Sequence, residues 1–148
     1  MDTIHDGAPE QRLYVYTLID VCSRWAYAEA SLRITTHRSL RFIERGRGQA
    51  PFTFSTLQSD HGPEFSKWLT TQLTARGLTH RHSHIRQPND NAHVERFNRT
   101  IQDECLSRLN RTLRSWQRGI PEYLRFYNTE RPHMGLDMKT PLQVVPSY

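Results

Sequence analysis

The chain has 148 residues, of which 36% are hydrophobic and 10% aromatic, which suffices for the core of one domain and excludes a disordered chain. Lysine and arginine outnumber acidic residues by 20 to 15, and the excess of +5 lies entirely in segment 76–131, which indicates a nucleic-acid partner. With no apolar run near the roughly 20 residues of a membrane span, no signal peptide and no zinc-finger or disulfide pattern at Cys22 and Cys105, we expect a cytoplasmic protein.

The first half of the chain is patterned as four strands, with one helix between the third and the fourth. Runs rich in β-branched and aromatic residues predict strands at 1–5, 13–20, about 25–32 and 52–57. Tight turns join the first three strands into an antiparallel meander. A helix is expected to begin at Thr36 or His37 and to fade in the stretch 45–48, which is interpreted as a helix end with a solvated loop. A DNA contact is the alternative for that stretch.

The second half is patterned as a helix, a strand and two further helices. Pro63 suits a first helical position, and the buried stripe of this helix is predicted to contain Phe65, Trp68, Leu69 and Leu73. Gly77 closes the helix, and a fifth strand at 78–85 follows through a right-handed parallel crossover. Later helical stripes contain Val94, Phe97, Ile101 and Cys105, and then Leu113, Trp116, Ile120, Leu124 and Tyr127. Pro121 is expected to interrupt the last helix, and the tail from about residue 132 to be loop-like.

This order of elements is that of the ribonuclease-H-like fold. We expect one α/β domain over residues 1–148, in which a five-stranded mixed sheet combines the antiparallel meander with two parallel strands and is flanked by helices. Asp60 follows the fourth strand, at the end of the sheet where open α/β sheets place their sites.

The stretch 88–104 combines a loop-to-helix signal with a charged helix face. At about 100° per residue, Glu95, Arg99 and Gln102 fall together, roughly a third of a turn from the apolar stripe. A carboxylate with an arginine one turn later suits a divalent metal beside a phosphate. An ordinary amphipathic helix with a solvated charged face is the alternative.

Four motifs resemble those of insertion-sequence transposases with a retroviral-integrase-type catalytic core. Asp90-Asn-Ala-His-Val-Glu95-Arg-Phe-Asn-Arg-Thr100 resembles the third-acid motif of that superfamily, and Leu57-Gln-Ser-Asp60-His-Gly-Pro-Glu-Phe65 the second-acid motif. Ile19-Asp-Val-Cys-Ser-Arg24 resembles its second strand. Tyr127-Asn128 and Arg131-Pro-His133, followed by Thr140-Pro141, resemble its C-terminal signature.

The resemblance implies metal-dependent cleavage and strand transfer of DNA. Asp2, Asp60 and Glu95 would be both the catalytic residues and the ligands of two Mg²⁺ or Mn²⁺ ions, with Asp2 bridging the two. Two such ions about 4 Å apart suit in-line displacement at phosphorus, and Mg²⁺ prefers oxygen ligands. No small-molecule cofactor is expected.

The resemblance also implies how the chain meets its partners. Residues expected to contact DNA are Asn91, Asn98, Arg99 and Gln102. Transposon ends and target DNA would be the substrates, bound by a homo-oligomer in the bacterial cytoplasm, in association with the nucleoid.

Three features depart from the family pattern. Asp60 and Glu95 are separated by 34 residues, one fewer than the commonest spacing, and Gln102 stands where many relatives carry a basic residue. Asp2 lies one residue from the start of the chain, and no helix-turn-helix precedes it. We therefore expect a fragment of a longer protein or a second reading frame.

Several alternatives stay open at this point. Asp20 could replace Asp2 as a ligand but is favoured as a structural partner of Arg24, and Glu64 is favoured as a helix-dipole partner over a fourth ligand. Three alternating histidines are expected to share one face of the fifth strand, either as an ordinary sheet face or as a phosphate-facing patch, rather than to bind metal: His80, His82 and His84. His93 could line the DNA or belong to a simple helix surface. A non-catalytic DNA-binding or assembly remnant, and a ribonuclease-H-like nuclease, are the alternative functions.

Overall fold

Three antiparallel strands form the first sheet of the computed structural model, which describes residues 1–83 and 91–145. The strands are β1 (Asp2–Asp6), β2 (Leu13–Ile19) and β3 (Ala26–Ser31), paired in that order. The register sets Asp2 opposite Thr17, and Thr17 opposite Ala28. The predicted meander is therefore confirmed, and Asp2 lies beside the middle strand of this sheet.

β2 is buried along most of its length because both faces of the sheet are covered. Val15 packs into one apolar cluster with Phe97 and Trp116, whereas Tyr16 and Leu18 belong to a second cluster on the other face. Successive side chains of a strand point to opposite faces. The strand thus supplies both cores, which explains its nearly continuous apolar run.

The second sheet contains two parallel strands joined by a helix. These elements are β4 (Thr56–Ser59), α2 (Lys67–Ala75) and β5 (Thr79–His82). The predicted parallel crossover is confirmed, but the prediction of a fourth strand at 52–57 is wrong. Phe52 and Phe54 are instead in irregular backbone, with the Phe52 ring edge-on to Trp25 at 5.7 Å. The two phenylalanines are two residues apart, as in a strand, because both pack against the core and not because the segment pairs with a strand. Of the predicted fifth strand, residues 84 and 85 lie outside the described residues.

The five strands form two sheets rather than the single mixed sheet that was predicted. In the described part of the chain, the Met1 nitrogen donates a hydrogen bond to the Gln58 carbonyl over 2.8 Å, which ties the start of β1 to β4. The α/β class and the mixture of antiparallel and parallel pairing are as expected. The end of β4 consequently lies close to Asp2.

Five helices cover the sheets within the described ranges. Beside α2 they are α1 (Thr36–Gln49), α3 (Ala92–Glu104), α4 (Leu113–Thr129) and the short α5 (Pro141–Val144). α1 continues through stretch 45–48, where fading was predicted. A Cβ on Gly46 would lie 3.0 Å from Leu18 Cδ2, so glycine lets this helix approach the sheet closely. None of these helices is long and apolar enough to cross a bilayer.

Two further predictions about the C-terminal half are wrong. α4 runs without a break through Pro121, because the proline is on the exposed side while Ile120 and Leu124 stay buried. The tail is not wholly loop-like, because α5 begins there, with the Thr140 backbone N–H donating to Gln143 Oε1 over 2.9 Å.

Candidate active site

Asp2 is held by a network that joins β1, β2 and α3. Its Oδ1 accepts a hydrogen bond from the Thr3 backbone N–H (2.8 Å), and its Oδ2 accepts one from Asn98 Nδ2 (2.7 Å). The fully buried Thr17 hydroxyl donates to Asn98 Oδ1 over 2.7 Å. The amide of Asn98 is therefore oriented by two partners, and α3 is fixed against the carboxylate of Asp2.

The carboxylates of Asp2 and Asp60 influence each other. Burial raises the pKa of the Asp2 carboxyl, and the negative charge of Asp60 raises it further, against hydrogen bonds from Thr3 and Asn98 that lower it. The two residues come from different sheets and are far apart in the sequence. The Met1 hydrogen bond to the Gln58 carbonyl sets the start of β1 beside the end of β4, which Asp60 directly follows.

Asp60 directly follows β4 and is positioned by the turn that it begins. Its Oδ1 accepts the Gly62 backbone N–H over 2.9 Å. Its carbonyl accepts a hydrogen bond from His82 Nδ1, also 2.9 Å, so β5 holds the backbone at this position. The carboxylate is therefore anchored from both sides at the end of the parallel pair.

Glu64 adds a third carboxylate beside Asp60. The residue is only 7% exposed. A Cβ on Gly62 would lie 2.6 Å from Glu64 Oε2 and 3.1 Å from Asp60 Oδ1, so the two carboxylates converge on the one residue without a side chain. Sequence reasoning favoured a helix-dipole role for Glu64. The signal that could have revealed this arrangement is the glycine between the two acids.

Glu95 lies in the first turn of α3 with an exposed side chain, and its backbone N–H donates to the Asn91 carbonyl over 3.0 Å. It precedes Asn98 by one helical turn, which sets it on the part of α3 that is joined to Asp2. Among residues 1–83 and 91–145, no three histidine, cysteine or acidic side chains are arranged to hold a metal ion. Glu95 as a third ligand therefore stays a prediction.

The four residues predicted to contact DNA differ in their environments. Arg99 and Gln102 are exposed, as such a contact requires. Asn91 accepts a hydrogen bond from the Ser83 hydroxyl through its Oδ1 (2.8 Å). Asn98 is buried at 9% exposure and engaged by Asp2 and Thr17, which leaves its side chain inside the protein rather than on a DNA-facing surface.

Three histidines are stacked next to Asp60. His80 and His82 share a face, with ring centroids 4.6 Å apart, and His61 stacks on His82 at 4.8 Å. His84 lies outside the described residues. Burial lowers the pKa of His80 to about 4, and its ring is held between the hydroxyls of Ser59 and Thr70.

Asp20 has a structural role in the turn between β2 and β3. Its Oδ2 accepts hydrogen bonds from both the backbone N–H and the hydroxyl of Ser23, each 2.7 Å long. Its carbonyl accepts the Arg24 N–H over 2.9 Å. A structural partner of Arg24, rather than a ligand, was the favoured expectation for this residue, and Arg24 does bond the Asp20 backbone carbonyl.

The C-terminal signature holds helices and sheet together. Asn128 donates to the carbonyl of Ala26 and accepts its N–H, each over 2.9 Å, so α4 is bonded to β3 as an adjacent strand would be. Arg131 binds Glu104 of α3 through two nitrogens (2.8 and 2.6 Å). These contacts fix the position of α3, and with it that of Glu95.

Two family profiles, both described as an integrase core domain, match residues 1–88 and residues 76–141. The chain is 24% identical over 161 aligned residues to a putative integrase of Spiroplasma virus SpV1-C74, covering 93% of this chain and 43% of that protein. An uncharacterized 31.7 kDa protein of insertion element IS407 from Burkholderia multivorans is 34% identical over 94 residues, covering 62% of this chain and 34% of its own. The chain thus spans less than half the length of these relatives.

The fold is similar to that of solved integrase cores. The catalytic core domain of HTLV-2 integrase, solved with magnesium in a trimeric form, superposes with a TM-score of 0.71 at 16% identity, covering 97% of this chain and 91% of that one. Since a single family profile covers more than half of the sequence, the chain belongs to the integrase core domain family.

Proposed function

We propose that this domain cleaves and joins DNA strands with the help of divalent metal ions, as in transposition or integration. The observation that carries the proposal is that the Met1–Gln58 hydrogen bond ties β1 to β4 two residues before Asp60, while Asn98 of α3 is bonded to the Asp2 carboxylate. Family membership supports the DNA substrate, and the excess of arginine in segment 76–131 supports a polyanion.

Asp2, Asp60 and Glu95 would hold two Mg²⁺ or Mn²⁺ ions, with Asp2 shared between them. The acidic oxygen donors fit these ions, and the HTLV-2 core was solved with magnesium. When bound, such ions activate the attacking water or 3′-hydroxyl and stabilise the departing 3′ oxygen. Glu64 is close enough to Asp60 to add negative charge to the same site.

The chain's own residues orient this site. Asn98 and Thr17 set the direction of the Asp2 carboxylate, and the turn at Gly62 sets that of Asp60. Arg99 and Gln102 are exposed further along the helix that carries Glu95, where we propose that they contact the DNA end. Self-association, transposon ends and target DNA are part of the same proposal.

The test is metal-dependent nicking of a labelled DNA duplex and of supercoiled plasmid. We expect nicking with Mn²⁺ or Mg²⁺ and loss of activity by a factor of at least about 10² in Glu95→Gln and Asp60→Asn, because each substitution removes a ligand charge. Glu122→Gln, on an exposed position of α4, is the control and retains activity.

Three outcomes contradict the proposal in distinguishable ways. Duplex binding without nicking at any metal concentration supports a non-catalytic DNA-binding or assembly remnant. Preferential cleavage of RNA–DNA hybrids supports a ribonuclease-H-like nuclease. Wild-type nicking by Glu95→Gln removes Glu95 from the site.

A further inference from the structure

A basic cleft lies on the side of α3 that faces away from Asp2. Its volume is about 250 Å³, and its walls come from the turn after β2, from α3 and from the segment that follows α4. The described lining contains three arginines, Arg24, Arg96 and Arg131, and no acidic residue. At about 100° per residue, Arg96 lies on the opposite side of α3 from Asn98, so this cleft is separate from the carboxylate site.

Arg24 is fixed at the cleft by an unusual backbone conformation. Its φ of 63° is in the left-handed region, which few residues other than glycine adopt. Its guanidinium donates a hydrogen bond to the Val21 carbonyl of the same turn. Arg24 and Arg96 line the same cleft, with His93 beside them. A strained residue held in one place is typical of a functional position.

Arg131 lines another wall of the cleft, and its positive charge is already neutralised by Glu104. It binds Glu104 through two nitrogens, and its guanidinium carbon lies 5.8 Å from the centre of the Tyr127 ring. Burial also lowers the pKa of His133 at the same end. At neutral pH the cationic groups left for a ligand are therefore Arg24 and Arg96.

We propose that this cleft binds a backbone phosphate of the DNA on which the domain acts, an inference that rests on the proposed function. Arginine presents a planar fork of donors that matches two phosphate oxygens, and no carboxylate in the described lining competes for it. Ala92 and His93, which also line the cleft, bring the first turn of α3 and the positive end of its helix dipole to it.

The geometry favours a DNA strand over a free phosphate ion as the source of that group. α3 carries Glu95 and Arg96 in adjacent positions; Arg96 lines the cleft, and by the proposed function Glu95 serves the carboxylate site. A strand that crosses the first turns of this helix is within reach of both. The cleft would then hold the backbone beside the reacting phosphate and set its position on the helix.

The inference is tested on the full chain by fluorescence anisotropy with a labelled DNA duplex in EDTA, from 50 to 200 mM KCl. We expect Arg24→Asn and Arg96→Gln each to weaken binding about tenfold at the lowest salt. Each substitution should also make the slope of log K, where K is the association constant for DNA, against log [KCl] less negative by about 0.9. The reason is that binding then releases one counterion fewer. Asparagine at position 24 tolerates the left-handed backbone.

Arg118→Gln is the matched control, because Arg118 is an exposed arginine of α4 that does not line the cleft. It should leave the slope unchanged. Arginine modification by phenylglyoxal gives a second readout, and duplex DNA should protect Arg24 and Arg96 but not Arg118. Inorganic phosphate at millimolar concentration should not reproduce this protection.

The outcomes separate the inference from the proposed function. Unchanged affinity and slope in both variants, with metal-dependent nicking intact, overturn the phosphate site and leave the proposed function standing. Protection by inorganic phosphate alone overturns the DNA assignment. A wild-type chain that neither binds nor nicks DNA overturns both. If Arg24→Asn fails to fold, Arg96→Gln on the surface of α3 decides the matter.

Discussion

At the scale of single residues, the site depends on residues that orient or make room for the candidate ligands. Asn98 and Thr17 have no reactive group, yet they set the direction of the Asp2 carboxylate. Gly62 contributes by lacking a side chain, which lets Asp60 and Glu64 approach. Such residues are placed by packing and hydrogen bonding rather than by chemistry of their own.

His80 gives this site a testable dependence on pH. Burial lowers its pKa in the folded state to about 4, below the ordinary histidine value of 6.5. The stability that neutral His80 contributes is therefore fully present above pH 6.5 and is lost as the pH falls through about 4, because the unfolded chain takes up the proton first.

We expect the wild-type free energy of unfolding to fall by about 1–3 kcal/mol more than that of His80→Gln between pH 7 and pH 4. Urea unfolding at each pH measures this difference. His5→Gln, an exposed position of β1, is the control and should keep the wild-type profile. Parallel profiles for wild type and His80→Gln would show that the neutral ring does not stabilise the fold.

At the scale of secondary-structure elements, α3 and α4 form the frame that presents Glu95. α4 is bonded to β3 by Asn128 and to α3 through Arg131 and Glu104. Tyr123 of α4 donates a further hydrogen bond to Glu104 over 2.7 Å. The position of Glu95 therefore depends on α4, which carries none of the predicted ligands.

Pro121 lowers the stability of α4, and a substitution can remove this effect. Proline inside a helix removes one backbone hydrogen bond and costs about 3 kcal/mol, less what its rigidity takes from the unfolded chain. We expect Pro121→Ala to raise the free energy of unfolding by about 1–3 kcal/mol, measured by urea unfolding. Arg118→Ala, on the same helix, should change it by less than about 0.5 kcal/mol. A stability loss in Pro121→Ala would mean that the ring makes contacts worth more than the missing bond.

At the scale of the whole molecule, the two apolar cores meet at β2 and the carboxylates lie where the two sheets adjoin. The proposed binding of a cation there would stabilise both sheets at once, because it would join Asp2 of the first sheet to Asp60 at the end of the second. A ligand that binds only the folded state raises stability by about 2.7 kcal/mol at one hundred times its Kd.

We therefore expect MgCl₂ or MnCl₂ to raise the Tm by about 5 °C or more, as measured by differential scanning fluorimetry. Asp60→Asn should abolish the shift, and Glu64→Gln should reduce it if that carboxylate shares the cation's field. Glu122→Gln retains the full shift as the control. An equal rise in all four proteins would indicate nonspecific screening of surface charge rather than a site.

The sequence by itself determined the family, the order of strands and helices and the parallel crossover, and it nominated Asp2 and Asp60 as candidate ligands. Each of these was inferred from periodicity, turn residues or a motif, and each such pattern is formed by residues that are close together in the chain. They also placed Asp20 in its turn and marked the basic segment.

Only the tertiary structure decided what depends on contacts between distant segments. It buried Asn98 against Asp2, turned Glu64 toward Asp60, kept α4 continuous through Pro121, and moved the fourth strand from 52–57 to Thr56–Ser59. It also assembled Arg24, Arg96 and Arg131 around one cleft. In each case the physical reason is the same: burial and hydrogen bonding with residues far along the chain outweigh local preference, and no local pattern records them.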